Sequence, residues 1–285
     1  MRRLAFQARL PRYMIHHPNL PRTDATMSAE LKASRRDATL ILTLSNPGAK
    51  NALHPDMYAA AVESLATAER DNTIRAVVLT GADNFFCAGG NINRLLENRE
   101  KDKSVQADSI DQLNGWTDAI RSCTKPVIAA VDGAAAGAGF SLALACDMIV
   151  AGENAKFVMA YVKVGLTPDG GGSWFLARAL PRQLATEIMI EGKPVLATRL
   201  HALGLVNRLA PDGSALEQAL AWADELALLS PNAITRIKSL VRDVSDNTLE
   251  QHFELERQHF VESLHHRDAR EGISAFLEKR KPQYK

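Results

Sequence analysis

Two glycine-rich loops are the segments whose residue types and spacing favour chemistry. The first loop, residues 81–90, follows an apolar run at 76–80, and the second, residues 133–139, follows an apolar run at 127–131. Small residues let a ligand approach the backbone, and the free N–H groups at a helix start can bind an anion or a developing oxyanion. Either loop alone is more simply explained as a tight turn. Two loops in matching positions favour a binding site formed by backbone N–H groups.

The second loop does not fit the glycine patterns that bind nucleotides. Gly137 and Gly139 have the spacing of a dinucleotide-binding fingerprint, but Leu142 occupies the position where a small residue is needed for close helix packing. Neither loop is followed by the Gly-Lys-Ser/Thr sequence of a phosphate-binding loop. We therefore reject both patterns.

The elements that must position these loops alternate between strands and helices. Pro55 suits the first turn of a helix. Apolar and β-branched runs predict strands at 38–45, 76–80, 127–131 and 148–151. Helical apolar spacing predicts further helices at 110–121, 140–145, 176–190, 216–229, 233–241, 249–264 and 267–279. The sequence thus predicts an α/β core at 28–210 and a helical C-terminal region at 211–285.

Composition limits the partners of the chain. Its 285 residues are 46% apolar, which is enough for a large globular core, and its net charge is +1. This balance predicts no nucleic acid or anionic membrane surface as a partner, and no apolar run approaches the ~20 residues that cross a bilayer. Cys87, Cys123 and Cys146 lack disulfide or metal-ligand spacing, so we expect no metal site and a reducing, cytoplasmic environment.

Residues 1–27 differ from the rest of the chain and are expected to be disordered. Residues 1–26 contain five arginines and a single acid, Asp24, and prolines interrupt any helix. An Arg-rich, acid-poor leader is typical of a mitochondrial transit peptide, which would place the protein in the matrix. Because this segment lacks serine, we favour a misassigned upstream start, with Met27 as the first residue of a cytoplasmic protein.

Six short motifs occur in an order that one protein family shares. They are Asn51-Ala52-Leu53, residues 86–92 (FCAGGNI), Val131-Asp132-Gly133, Gly137-Ala138-Gly139, Cys146-Asp147 and residues 276–280 (FLEKR). In this order they resemble the crotonase superfamily, or enoyl-CoA hydratase/isomerase family, over about residues 35–283. The resemblance implies an α/β fold, a crotonase-like spiral of ββα repeats, with a helical C-terminal region that mediates trimerisation. It also implies an acyl-CoA substrate, with coenzyme A as part of the substrate rather than a bound cofactor, and a homotrimer or dimer of trimers.

The resemblance assigns roles to residues of both loops. Gly90 and Ala138 match the positions whose backbone N–H groups form an oxyanion hole for the thioester, where each donor is worth ~2.7–4 kcal/mol. The positions that match the CoA pocket are Ala52, Ala88, Gly90, Asn91, Ile92 and Asn93. Phe276 and Lys279 match a C-terminal patch that contacts CoA from an adjacent subunit.

The sequence departs from the hydratase pattern at both catalytic glutamates. Ser141 and Tyr161 occupy those two positions, so two-glutamate hydration is not expected. The remaining carboxylate is Asp169, whose offset resembles that of the proton-shuttling carboxylate in double-bond-shifting isomerases of the family. The alternative for Asp169 is a helix cap before Ser173. Tyr161 is expected to form the pocket wall or to orient the substrate or Asp169.

These residues lead us to expect an enoyl-CoA isomerase. Asp169 would shuttle a proton beside the oxyanion hole of Gly90 and Ala138, without a metal or redox cofactor. The enzymatic alternatives are hydration with Asp169 as sole base and dehalogenase-like hydrolysis with Asp169 as nucleophile. A further alternative is a CoA-binding protein of this fold that has lost catalysis.

Overall fold

A computed structural model describes residues 29–284, so the predicted leader at 1–27 lies outside the described residues. The strands are β1 (Glu30–Arg36), β2 (Thr39–Ser45), β3 (Ala76–Gly81), β4 (Val127–Val131), β5 (Ala134–Ala136), β6 (Met148–Gly152), β7 (Lys156–Val158), β8 (Val195–Leu196) and β9 (Arg208–Ala210). The helices are α1 (Pro55–Arg70), α2 (Ile92–Arg99), α3 (Lys103–Ser122), α4 (Ala138–Ala145), α5 (Gly172–Ala179), α6 (Arg182–Glu191), α7 (Ala197–Ala202), α8 (Ala215–Ala227), α9 (Pro231–Asp243), α10 (Leu249–Leu264) and α11 (Arg267–Leu277). Short 3-10 helices occupy Ala82–Asn84 and Ala160–Val164.

The main sheet has six strands in the order β1-β2-β3-β4-β6-β9. β1 is antiparallel to β2, and all other neighbours are parallel, with Val78 of β3 opposite Ile41 on one side and Ile128 on the other. Nearly all residues of β3 and β4 are buried, as expected for central parallel strands between helical layers. Because β3 and β4 are parallel neighbours, the two glycine loops leave the sheet at the same edge.

Helices cover both faces of the main sheet. Successive side chains of a strand point to opposite faces, so Val77 and Leu79 pack in the core that contains Met57 of α1 and Trp116 of α3. Val78 points to the other face, which α8 covers. The buried residues of α8 are mostly alanines, which let the helix lie close to the sheet: Ala215, Ala219, Leu220 and Ala223.

A second, smaller sheet has the order β5-β7-β8. β5 is parallel to β7, and β7 is antiparallel to β8. Part of the second glycine loop is therefore a short strand, because residues 134–136 form β5. This pairing fixes the backbone of the loop just before α4 begins.

The predicted strands are confirmed within about one residue, but one helix prediction is wrong. The single helix predicted at 176–190 is two helices, α5 and α6, with Leu180 and Pro181 between them. A residue before proline is forced out of the helical region, and Leu180 is extended, with φ −124° and ψ 157°. β1 and α2 were missed because their sequences are polar and lack a clear apolar period.

Helix α9 is joined to the core by a partly exposed ion pair. Lys238 of α9 donates to Oδ2 of Asp147 at 2.6 Å, and the same oxygen accepts the Val127 N–H at 2.7 Å. On α10 and α11, Phe260 and Phe276 are exposed in the single chain. The region boundary at 210/211 and a trimerising role for the C-terminal helices stay predictions.

Candidate functional site

The two glycine loops run side by side at the edge of the main sheet. The Cys87 N–H donates to the Ala134 carbonyl at 3.0 Å, and the Ala136 N–H donates to the Cys87 carbonyl at 2.9 Å. The Phe86 N–H donates to the Asp132 carbonyl at 2.9 Å. These bonds join the two loops into one backbone platform.

Two glycines allow this close approach. Gly89 has φ +91°, and a Cβ there would lie 2.6 Å from the Ala136 oxygen. A Cβ on Gly139 would lie 2.7 Å from Cβ of Cys87. Neither position accepts a side chain without movement of the backbone or the core.

Two backbone N–H groups of this platform are free to bind a ligand. In the part of the chain that the structure describes, neither Gly90 nor Ala138 donates its backbone N–H to another residue. Ala138 begins α4, so its N–H also lies at the positive end of a helix dipole. A Cβ on Gly89 would be 3.5 Å from the Ala138 nitrogen, so the two donors lie on adjoining backbone. Two such donors can hold one developing oxyanion.

A carboxylate and a phenol meet beside these donors. The Tyr161 hydroxyl donates to Oδ1 of Asp169 at 2.6 Å, and a Cβ on Gly137 would lie 3.7 Å from the tyrosine ring. Burial raises the pKa of Asp169 above its ordinary value, and the hydrogen bond from Tyr161 opposes that rise. Burial and the adjacent carboxylate raise the pKa of Tyr161, so its hydroxyl stays protonated.

The side chain of Asp169 does not cap a helix. The N-cap of α5 is Gly171, and no side chain caps that helix. The backbone carbonyl of Asp169 instead accepts the hydroxyl of Ser141 at 2.8 Å and the N–H of Gly172 at 3.0 Å. The capping alternative is therefore wrong, and Ser141 holds the loop that carries the carboxylate.

These groups line one cavity of about 490 Å³. Its volume lies within the ~300–1,000 Å³ usual for small-molecule sites. Among the residues that line it are seven predicted site residues: Ala88, Gly90, Asn91, Ile92, Ala138, Tyr161 and Asp169. The cavity thus brings together a carboxylate and two free N–H donors, an arrangement suited to proton transfer next to a polarised carbonyl.

Four predicted site residues lie outside the lining of this cavity. Ala52 is buried next to Leu53, which does line the cavity, whereas Asn93 is exposed on α2. Phe276 and Lys279 are exposed at the end of the chain, and Phe276 keeps 82% of its surface accessible. Contact between these two residues and CoA on a neighbouring subunit stays a prediction.

The sequence analysis missed three polar side chains that line the cavity: Tyr58, Arg94 and Ser109. Tyr58 is recoverable from the sequence, because it precedes Ala61 and Leu65 by three and seven residues on the buried face of α1. Arg94 follows the predicted site residue Asn93, and Ser109 precedes the helix predicted at 110–121, but neither was among the predicted site residues. No sequence pattern indicated that Arg94 and Ser109 line the cavity.

Other reactive side chains are not placed for chemistry. Burial raises the pKa of the Cys87 thiol to about 12, so it is not a nucleophile near neutral pH. Within residues 29–284, no three His, Cys, Asp or Glu side chains converge as a possible metal site. Over the same residues, no helix has the length and apolarity to cross a bilayer.

Comparison with known proteins identifies the family. Residues 35–285 match a family model described as enoyl-CoA hydratase/isomerase. A crystal structure of an enoyl-CoA hydratase from Polaromonas sp. JS666 is 56% identical, with a TM-score of 0.89, and the match covers 90% of this chain and 100% of that one. A 2,3-dehydroadipyl-CoA hydratase of Escherichia coli (strain K12) is 38% identical over 90% of this chain and 99% of the relative. A 1,2-epoxyphenylacetyl-CoA isomerase of the same strain is 37% identical over 86% and 94%.

The fold is that of an acyl-CoA-processing α/β protein. The chain belongs to the enoyl-CoA hydratase/isomerase family of the crotonase superfamily, and it is an enzyme of the crotonase type. The predicted family and fold class are thereby confirmed. Relatives named as a hydratase and as an isomerase are almost equally similar, so family membership alone does not select the reaction.

Proposed function

We propose that this enzyme moves the double bond of an enoyl-CoA, with Asp169 as the group that carries the proton. The observation that carries the proposal is the Asp169 carboxylate in the same cavity as the free N–H groups of Gly90 and Ala138. Neither glutamate position of the hydratase pattern holds a carboxylate, since they are Ser141 and Tyr161. Asp169 is therefore the acid–base group available at the oxyanion hole.

The proposed reaction has two proton transfers. The ionised Asp169 removes a proton from C2 of a 3-enoyl-CoA, and the electron pair moves onto the thioester oxygen as a dienolate. The N–H groups of Gly90 and Ala138 donate to that oxygen, and each such donor typically stabilises the transition state by ~2.7–4 kcal/mol. Protonated Asp169 then returns the proton to C4, which gives the 2-enoyl-CoA with no net loss of atoms.

The surroundings of Asp169 suit this role. A raised carboxyl pKa makes the group a stronger base, and it brings protonation of the carboxylate closer to operating pH. Tyr161 holds one carboxylate oxygen by its hydroxyl, which leaves the other oxygen for the substrate. The two proton transfers of the proposed mechanism require neither a metal nor a redox cofactor.

The CoA portion of the substrate is proposed to lie along the first loop. The groups assigned to it are Ala52, Ala88, Gly90, Asn91, Ile92 and Asn93, with Phe276 and Lys279 supplied by a neighbouring copy in a homotrimer or dimer of trimers. We propose a cytoplasmic location, in agreement with three buried, unpaired cysteines.

The test is NMR of 3-hexenoyl-CoA in deuterated water with the wild-type enzyme, Asp169→Asn and Asp111→Asn. Asp111 is exposed on α3 and lies outside the cavity, so it is the matched control. We expect bond migration with deuterium at C2 and C4 for the wild type and the control. The rate should fall by about 10²–10⁴-fold in Asp169→Asn, the usual contribution of a general base.

Hydration is the second candidate, because a water held by the paired Tyr161 and Asp169 could be deprotonated by the carboxylate. A 3-hydroxyacyl-CoA product in the same NMR experiment would establish it in place of isomerisation. Release of halide from a halogenated aryl-CoA would support the dehalogenase-like alternative. Acyl-CoA binding with none of these products would identify a non-catalytic protein.

A further inference from the structure

Three polar side chains, each from a different helix, form part of the cavity wall. Tyr58 of α1, Arg94 of α2 and Ser109 of α3 all line the cavity. The guanidinium Nη1 of Arg94 donates to the Ser109 hydroxyl at 3.4 Å. Tyr58 and Ser109 are nearly buried, with 6% and 7% of their surfaces exposed. The guanidinium therefore points inward, toward buried partners, and away from the open surface of α2.

Among the residues that the structure describes, Arg94 has no acidic partner. Across residues 29–284 its side chain forms no ion pair, and its one side-chain hydrogen bond is to the neutral hydroxyl of Ser109. Most of the guanidinium N–H donors are thus available to a ligand. A cation in a partly closed cavity is costly unless an anion or strong acceptor reaches it. The missing partner is expected in the ligand.

The Arg94 guanidinium and the Asp169 carboxylate line the same cavity. The pKa of Tyr58 responds to both charges: burial raises it to about 12, Arg94 lowers it and Asp169 raises it further. Tyr58 is therefore close to both Arg94 and Asp169. The backbone donors, Asp169 and this polar wall line one cavity, so an acyl chain whose thioester binds the donors can reach the polar wall.

We propose that the acyl group carries a second carboxylate, which pairs with Arg94 and accepts the hydroxyls of Tyr58 and Ser109. The substrate is thus a monothioester of a short dicarboxylic acid with CoA. Arginine suits this role because its planar fork matches both oxygens of a carboxylate. A purely hydrocarbon tail would instead bury the guanidinium without a partner. The inference rests on the proposed acyl-CoA site, and it names the class of acyl group that the site selects.

The test measures binding of two saturated ligands of equal chain length, so it does not depend on which reaction occurs. Hexanoyl-CoA and adipoyl-CoA, which differ by a terminal carboxylate, are titrated calorimetrically into the full-length wild type, Arg94→Met and Arg99→Met. Arg99 lies on the same helix but is exposed and outside the cavity, so it is the matched control. We expect wild type and Arg99→Met to bind adipoyl-CoA at least about 10-fold more tightly, as one charge-assisted pair allows.

In Arg94→Met the preference should fall to near unity, with the affinity for hexanoyl-CoA retained or increased because the unpaired guanidinium is gone. Arg94→Lys keeps the positive charge but lacks the planar guanidinium, so it should retain part of the preference for adipoyl-CoA. This variant replaces Arg94→Met in the test if Arg94→Met does not fold. Equal loss of both affinities in Arg94→Met would assign Arg94 to the CoA portion and overturn the inference. Tight binding of both ligands by the wild type without preference would overturn it as well. Failure of the wild type to bind either ligand would instead overturn the proposed acyl-CoA site.

Discussion

The Tyr161 hydroxyl and Oδ1 of Asp169 lie 2.6 Å apart, and the tyrosine is the donor. Two opposing effects therefore act on this carboxylate. Burial favours its neutral form and raises its pKa, while the phenol stabilises its charged form. The balance between them sets the pH at which Asp169 can accept a proton, so the pair governs the proposed chemistry.

Removal of that hydroxyl should shift the acidic limb of the pH–rate profile upward. Tyr161→Phe deletes the donor that lowers the pKa of Asp169, so the base becomes protonated at a higher pH. We expect an upward shift, because a hydrogen bond donated to a carboxylate stabilises its charged form. The measurement is kcat/KM against pH. Tyr284→Phe, beside Gly272 on α11, should leave the limb in place, and a downward shift in Tyr161→Phe would contradict the proposed role.

The protein should become more stable near neutral pH when Asp169 is made neutral. Because the folded-state pKa of Asp169 is raised, its ionisation opposes folding as pH rises above the ordinary value of 3.8. Asp169→Asn removes that cost while an amide oxygen can still accept the Tyr161 hydroxyl. We expect a gain of about 0.5–2 kcal/mol in the free energy of unfolding at pH 7.

Urea unfolding at a series of pH values measures this effect. The gain should vanish below the ordinary pKa of 3.8, where the aspartic acid is neutral in both states. Asp111→Asn, on the exposed face of α3, should stay within ~0.5 kcal/mol of wild type at every pH. A gain that persists unchanged at low pH would show that charge burial is not its cause.

A methyl group at Gly89 should disrupt the contact between the two loops. Gly89 and Gly48 both have positive φ, +91° and +80°, but only Gly89 is crowded, since its Cβ would lie 2.6 Å from the Ala136 oxygen. Gly48→Ala should cost about 1–2 kcal/mol of stability with kcat/KM unchanged. Gly89→Ala should also lower kcat/KM about 100-fold, because the oxyanion donors are displaced. Equal activity in the two variants would contradict the proposed site.

Substitution of Ser141 should lower kcat only slightly, because its hydroxyl donates a hydrogen bond to a backbone carbonyl. Ser141→Ala removes the 2.8 Å bond to the Asp169 carbonyl, which the Gly172 N–H still satisfies. We expect kcat to fall by less than about 10-fold, the value of one neutral hydrogen bond. Steady-state kinetics beside Ser122→Ala, whose exposed hydroxyl also donates to a backbone carbonyl, supplies the comparison. A loss as large as in Asp169→Asn would mean that Ser141 takes part in the chemistry.

Local signals in the sequence were sufficient for the family and much of the fold. The central strands are continuous apolar runs, and the glycine loops follow them directly, so the elements and their order could be predicted. The family resemblance also predicts from the sequence that Ser141 and Tyr161 replace both hydratase glutamates. The break at Pro181 was missed although its signal is local, because apolar periodicity on both sides suggested one helix.

The arrangement of side chains around the cavity was decided by the tertiary structure. The sequence favours a catalytic role for Asp169 with a helix cap as the alternative, and only the packed loop turns its side chain toward Tyr161. Tyr58, Arg94 and Ser109 come from three separate helices, and no sequence spacing links them. The conformation of a glycine loop depends on local interactions, so its sequence motif predicts it. The lining of a cavity depends instead on how helices that are distant in sequence pack together. The sequence thus determined the family and the two glycine loops, and the packing of α1, α2 and α3 decided which polar side chains line the cavity beside them.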